Sequence, residues 1–133
     1  VNFRILAASV LLGALTLTGC GGRMGQVTGK VTIDNQPVVN ATVSFEDAVT
    51  HVRASGVTDA EGIYSLSTNV KDDGAPVGDY KVAVIQAGPA DSSQGDPPRQ
   101  FPKSFENPET SGLTFSVKPG KNRFDIELPK AGP

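Results

Sequence analysis

The chain is poor in the residues that most often carry chemistry: among its 133 residues it has one cysteine, one histidine, one methionine and no tryptophan. A single thiol cannot close an intramolecular disulfide, so apolar burial must hold the core. His51 stands alone, whereas a zinc site needs three or four His, Cys or carboxylate ligands. No serine or cysteine has a histidine at a recognised catalytic spacing. Aromatic platforms of the kind sugar-binding sandwiches use are scarce, with no Trp and only two Tyr. Charge is equally undemonstrative: 12 basic against 14 acidic residues leave a net charge of −2, too weak a field to suggest nucleic acid or an anionic surface as partner. A run long enough to cross a bilayer is missing too. Residues 5–17 are uncharged and mostly apolar, but at about 1.5 Å per residue they span roughly 20 Å, short of a hydrocarbon core of about 30 Å.

What is present at the N-terminal end is a leader pattern. Arg4 precedes the apolar run, and the small residues Thr18 and Gly19 follow it, as in a secretory signal. Leu17-Thr18-Gly19-Cys20 resembles the lipobox of bacterial lipoproteins. The resemblance implies cleavage before Cys20 and attachment of two or three acyl chains, such as palmitate, to that residue. At about 0.8 kcal/mol per buried methylene, two chains anchor stably where one is marginal. The expected organisation is a signal helix over residues 1–19, a lipidated Cys20 with a flexible Gly-rich tether over 20–25, and one domain over 26–133. The membrane is then a partner through Cys20, and the setting is extracytoplasmic, in the bacterial cell envelope. Gly21 after the cysteine, rather than Asp, resembles the sorting signal for an outer membrane where the bacterium has one.

From Gln26 onward the period is two. Val27, Gly29, Val31 and Ile33 alternate with polar residues, and after the turn residues Asp34-Asn35-Gln36-Pro37 so do Val39, Ala41, Val43 and Phe45, which predicts a hairpin. A weaker strand spans residues 52–57, and Asp59 and Gly62 occupy the first and last positions of a type I turn. Tyr64 with Leu66, then Tyr80, Val82 and Val84, then Leu113, Phe115 and Val117, and finally Phe124, Ile126 and Leu128 continue the alternation. Lys118-Pro119-Gly120-Lys121 has the chemistry of a type II turn, and residues 88–100 show no period, which predicts a long exposed loop. About seven short strands without an amphipathic helix predict an all-β protein of two packed antiparallel sheets.

Several motifs sharpen this. Gly29-Lys30-Val31, Gln36-Pro37-Val38, Ala41-Thr42-Val43, the stretch from Thr58-Asp59-Ala60 to Gly62-Ile63-Tyr64, Pro76-Val77-Gly78-Asp79-Tyr80 and Phe124-Asp125-Ile126 together resemble the transthyretin-like or carboxypeptidase-regulatory-like domain. The resemblance implies a Greek-key, prealbumin-like β-sandwich and marks turns and core positions, while a shared sandwich leaves function to be argued from a site. Related enzymes need several histidines or a two-His, two-Tyr iron site, which His51 with Tyr64 and Tyr80 cannot supply. Similarity to adhesin stalk domains raises a Lys30 to Asn122 isopeptide bond, against which stand the polar parity of Lys30 and the presence of Val84 where an acid is needed.

No catalytic residue, cofactor or metal is expected. Asp72-Asp73-Gly74 and the pair Asp59 and Glu61 lack the spacing of a calcium loop and are read as turn residues. Phe101 and Phe105 are either core residues or an exposed aromatic contact. The expected function is a lipid-anchored structural or interaction module without enzymatic activity, with an envelope protein or glycan as its partner. The alternative is a small-ligand or carbohydrate-binding module using the loops 71–78 and 88–100.

Overall fold

A computed structural model describes residues 23–89, 91 and 93–132; the leader expected over 1–19 and the lipid attachment expected at Cys20 lie outside the described residues. In chain order the strands are β1 (Met24–Ile33), β2 (Gln36–Pro37), β3 (Thr42–Asp47), β4 (Arg53–Val57), β5 (Ile63–Ser65), β6 (Ala75–Pro76), β7 (Gly78–Ile85), β8 (Leu113–Val117), β9 (Gly120–Arg123) and β10 (Ile126–Leu128). They form two sheets over one shared core, an all-β sandwich. The second sheet is antiparallel throughout, in the order β4-β3-β7-β8. The first is built around β1, which pairs antiparallel with β2, β5 and β6 and parallel with β9 and β10.

β1 buries alternate residues, as its period predicts: Gly25, Val27, Gly29, Val31 and Ile33 face inward. Its parallel partner keeps a single register, Gly25 opposite Gly120 through Thr28 opposite Arg123, then Val31 opposite Ile126 through Ile33 opposite Leu128. Between the two runs the ladder is carried differently. Phe124 N–H donates to the Thr28 carbonyl at 2.9 Å, and Lys30 N–H donates to the Asp125 Oδ1 carboxylate oxygen at 2.9 Å. This frees the Phe124 carbonyl to accept the Tyr64 phenol at 2.5 Å. A Cβ on Gly29 would lie 1.9 Å from that carbonyl oxygen and 2.8 Å from the phenol oxygen, so glycine is required where the side chain of Tyr64 crosses β1.

Two expectations need correction. The segment after the Asp34-Asn35 turn does not run back along β1. It returns only as far as Gln36 and Pro37, which pair with β1, and Val38, whose N–H donates to the Val31 carbonyl at 2.9 Å, through a turn in which Asp34 and Asn35 both have positive φ (49° and 64°), as type I′ hairpins require. Val38 and Ala41 are buried while Val39 is exposed, because Asn40 (φ 60°) turns the chain across to the other sheet, where β3 pairs with β4 and β7. The buried Thr58 holds the crossing: its Oγ1 accepts the Ala41 N–H at 2.9 Å and its own N–H donates to the Ala41 carbonyl at 2.9 Å. Met24 and Gly25, expected in a flexible tether over 20–25, are instead strand residues. β1 starts at Met24, and Gly25 is paired on both sides, with Ala75 and Gly120. A Cβ at Gly25 would meet the Lys118 carbonyl at 2.2 Å, so this glycine serves close packing and not looseness.

Phe45 joins the layers, with ring centroids 5.9 Å from Tyr80, 5.9 Å from Phe115 and 6.1 Å from Phe124. Phe115 and Phe124 stack at 4.7 Å where the edges of the two sheets meet. Both tyrosines are buried, as their parity predicts, and Tyr80 donates its hydroxyl to the Pro76 carbonyl at 2.7 Å. Phe101 is fully buried and pins the long connection from β7 to β8, so the core reading holds for it. Gly62 N–H donates to the Asp59 carbonyl at 2.9 Å, closing the expected turn. Asn122 donates its side-chain amide to the carbonyls of Gln26 and Lys118 at 3.1 and 2.7 Å and sits opposite Val27, so its partners are backbone groups and not Lys30.

The register of β1 also orders the two ends of the molecule. Met24 lies at the entry pole with Val77, Gly78, Val117 and Gly120; Ile33 lies at the far pole, roughly 30 Å along the strand, with Gln36 and Leu128. The hairpin tip after Asp47 belongs to the entry pole, since Asp47 pairs with Tyr80 and Ala48 N–H donates to the Asp79 carbonyl.

Gly29→Ala should cost about 1–3 kcal/mol by overpacking against the Phe124 carbonyl. Gly95→Ala, which meets nothing within 4 Å, should stay within about 0.5 kcal/mol of wild type. Urea unfolding checks both, and equal midpoints for the two variants would refute the close-approach argument. Alkaline pH gives a second check. Burial, then the Asp47 carboxylate, pushes the Tyr80 phenol up from 10.0 to about 12, and burial followed by Asp125 raises that of Tyr64 as well. Phenols held neutral in the fold contribute stability that is complete below the unfolded-state value near 10 and is lost as pH climbs toward 12. With no tryptophan present, tyrosinate absorbance reports these two phenols alone, and it should rise together with loss of the β circular dichroism. Normal titration near 10 with the fold intact would contradict the buried phenol contacts.

Candidate functional site

At the far pole the turn between β1 and β2, the base of the long connection and the C-terminal tail line a shallow, open cleft of about 390 Å³. Its apolar floor comes from Ile33, Pro37 and Val38, and its polar wall from Asp34, Gln36, Arg99, Gln100 and Lys130. The I′ turn places Asp34 on the rim, where its carboxylate meets the Lys130 ammonium at 2.8 Å; the hydrogen bond and charge of Asp34 hold the Lys130 pKa above its ordinary value. The tail is held by the Ala131 N–H, which donates to the Gln100 carbonyl at 3.0 Å.

Gln86 closes the base of the loop at residues 88–98 with both ends of its amide. Its Nε2 donates to the Pro98 carbonyl at 2.9 Å, and its Oε1 accepts the Gln100 N–H at 2.8 Å. Glu106, on the 3₁₀ turn Lys103–Glu106, accepts from the Gln86 N–H at 3.2 Å and from Arg99 at 2.9 Å, while the Arg99 guanidinium lies 5.8 Å from the centre of the Phe101 ring. Two cations are thus presented in the cleft already paired with carboxylates. The site offers neutral amides, ion-paired cations and an apolar floor, which suits a small polar ligand carrying hydroxyl or carboxylate groups.

Among the described residues the loops 71–78 and 88–100 lie toward different poles. Residues 71–78 lead into β6, which pairs with Met24 and Gly25 at the entry pole, whereas Arg99 and Gln100 belong to the far pole. His51 sits on the exposed β3–β4 hairpin with φ 59°, its Nδ1 3.2 Å from Glu46, and is not part of the cleft. Two of the turn carboxylates, Asp59 and Asp73, accept local backbone donors. Asp73 accepts the N–H groups of Thr68, Asn69 and Val70, which holds its carboxyl below the usual range, and Asp59 accepts those of Glu61 and Ile63. Among the described residues no three His, Cys, Asp or Glu side chains gather as a metal site would require. Cys20 lies outside the described residues.

Nothing local in the sequence marks Gln86 or Lys130, and Arg99 is marked only as part of the loop 88–100; Arg99 and Lys130 come to line one cleft only when the tail returns beside the first hairpin. Comparison with protein-family models, curated proteins and solved structures finds no match to this chain.

Proposed function

We propose that this chain is a lipid-anchored module of the bacterial cell envelope, structural or interacting in role and without catalytic activity. The observation that carries the reading is Leu17-Thr18-Gly19-Cys20 at the end of the apolar run, where a lipobox belongs. The short distance along the chain from Cys20 to Met24, the first residue of β1, supports it, since an anchor there holds the entry pole to the membrane and turns the far pole outward. The Greek-key, prealbumin-like description belongs to the same proposal. Its support is the Tyr80 hydroxyl on the Pro76 carbonyl four residues upstream, the arrangement of a tyrosine corner.

Intact mass of the membrane-extracted chain tests the anchor. Wild type should begin at Cys20 and carry acyl chains, and Cys20→Ala should lose both the acyl mass and the membrane fraction. An unlipidated soluble wild type would end the proposal.

A second reading is favoured by the cleft of about 390 Å³, which lies at the pole turned away from the anchor. In it the module binds a small sugar or polar acid between Gln36, Gln100 and Lys130. A panel of monosaccharides and short carboxylic acids should raise the Tm of wild type but not of Lys130→Ala, whose ion pair with Asp34 is exposed and screened by solvent. No shift with any member of the panel would remove this reading.

A further inference from the structure

We propose that the entry pole is itself a bilayer-contact surface, with the β3–β4 hairpin tip and the start of β1 seated in the interfacial region of the membrane that holds Cys20. This rests on the reading of Cys20 as an acylated anchor.

Reach comes first. The Arg23 carbonyl accepts the Val77 N–H at 2.8 Å, so the chain is fixed to the domain three residues after Cys20. Three residues of fully extended chain cover at most about 11 Å. The polar layer on each side of a bilayer is roughly 5–8 Å deep. A domain held this closely has its entry pole at the lipid headgroups.

The chemistry of that pole fits the location. Val49, at the hairpin tip, is 84 % exposed, and Val77 and Met24 are 41 % and 38 % exposed. The three are linked through the backbone: Ala48 N–H donates to the Asp79 carbonyl, Val77 N–H to that of Arg23, and Met24 pairs with Pro76. Gly25 opposite Gly120 brings the turn carrying Lys118 and Lys121 to the same end. Arg23, Lys118 and Lys121 are exposed, and among the described residues no ion pair engages them.

Two acids of this pole, Asp47 and Asp79, keep their charge but are turned toward local donors, against three cations free of ion pairs among the described residues. Asp47 Oδ1 accepts the N–H groups of Val49 and Thr50 at 2.8 Å each, and Asp79 accepts the Ser116 hydroxyl at 2.5 Å. The pole therefore offers apolar tips to the acyl boundary and unpaired cations to lipid phosphates, the division of labour of interfacial proteins. The net charge of −2 conceals this because it averages over both poles.

The test uses the full lipidated chain in vesicles of phosphatidylethanolamine and phosphatidylglycerol. Acylation blocks the single native thiol, so an added cysteine is the only one a fluorophore can take. A label at Val49→Cys should be quenched several-fold more by nitroxide-bearing lipid than one at Asp96→Cys in the loop of the far pole, and iodide should show the reverse order. Adding Lys118→Glu and Lys121→Glu should lower lipid quenching at position 49 while the acyl mass is unchanged. Equal access of iodide to both labels on an acylated chain would overturn the bilayer contact alone. A chain without acyl mass would overturn the anchor and this contact with it.

Discussion

The fold depends on what β1 must accomplish in ten residues. It is the central strand of the first sheet, bonded on both edges, and its inner face supplies much of that sheet's share of the core. A strand bonded on both edges cannot also let a side chain cross its backbone unless that position has no Cβ. Gly29 is that position, and Tyr64 crosses there to reach the Phe124 carbonyl. The carbonyl is available because Asp125 takes over the Lys30 N–H with its side chain, so no backbone donor is stranded. A glycine without a Cβ, a buried phenol and an exposed carboxylate thus satisfy one another, and the parallel edge keeps its register across the gap.

That shared strand also separates the ends of the molecule. Everything close to Met24 is brought there by pairing with the first residues of β1, and everything around Ile33 by pairing with the last. The loops 71–78 and 88–100, alike in composition, are therefore assigned to different surfaces. The end of one, from Ala75, helps build the entry pole, where hydrogen-bonded turns leave apolar tips and, among the described residues, cations without an ion pair outward; the other helps wall a cleft whose cations are already matched with acids. The proposed anchor would give each of these unlike surfaces its direction.

Much of the architecture was legible in the chain. Strict alternation at Val27 to Ile33, at Tyr80 to Val84 and at Ile126 to Leu128 marks strands with one buried face, and the structure buries those residues. Turn chemistry was equally direct at Asp59 to Gly62 and at Gly120, whose φ is 93°. Alternation misled at Val39, since a period of two names the face of a residue but not the sheet it joins. Asn40 breaks that strand through a positive φ that asparagine tolerates, and Thr58, far off in sequence, supplies the bonds that make the break stable. The cleft was illegible for a similar reason: Asp34 and Lys130 carry no pattern, and only the return of the tail beside the first hairpin gives them to each other.

By itself, then, the sequence determined which segments are strands, which residues face inward and that no disulfide could assist them, because periodicity, turn residues and a single cysteine are local or countable properties. It also carried the motif on which the proposed anchor rests. The tertiary structure decided which strands are partners, that β1 runs parallel to β9 and β10, which glycines must lack a side chain and which charges share a pole. Those outcomes depend on contacts between residues as much as 96 positions apart, such as the amide of Asn122 on the carbonyl of Gln26. No local pattern encodes them, because their energy exists only once the two sheets have closed on a common core.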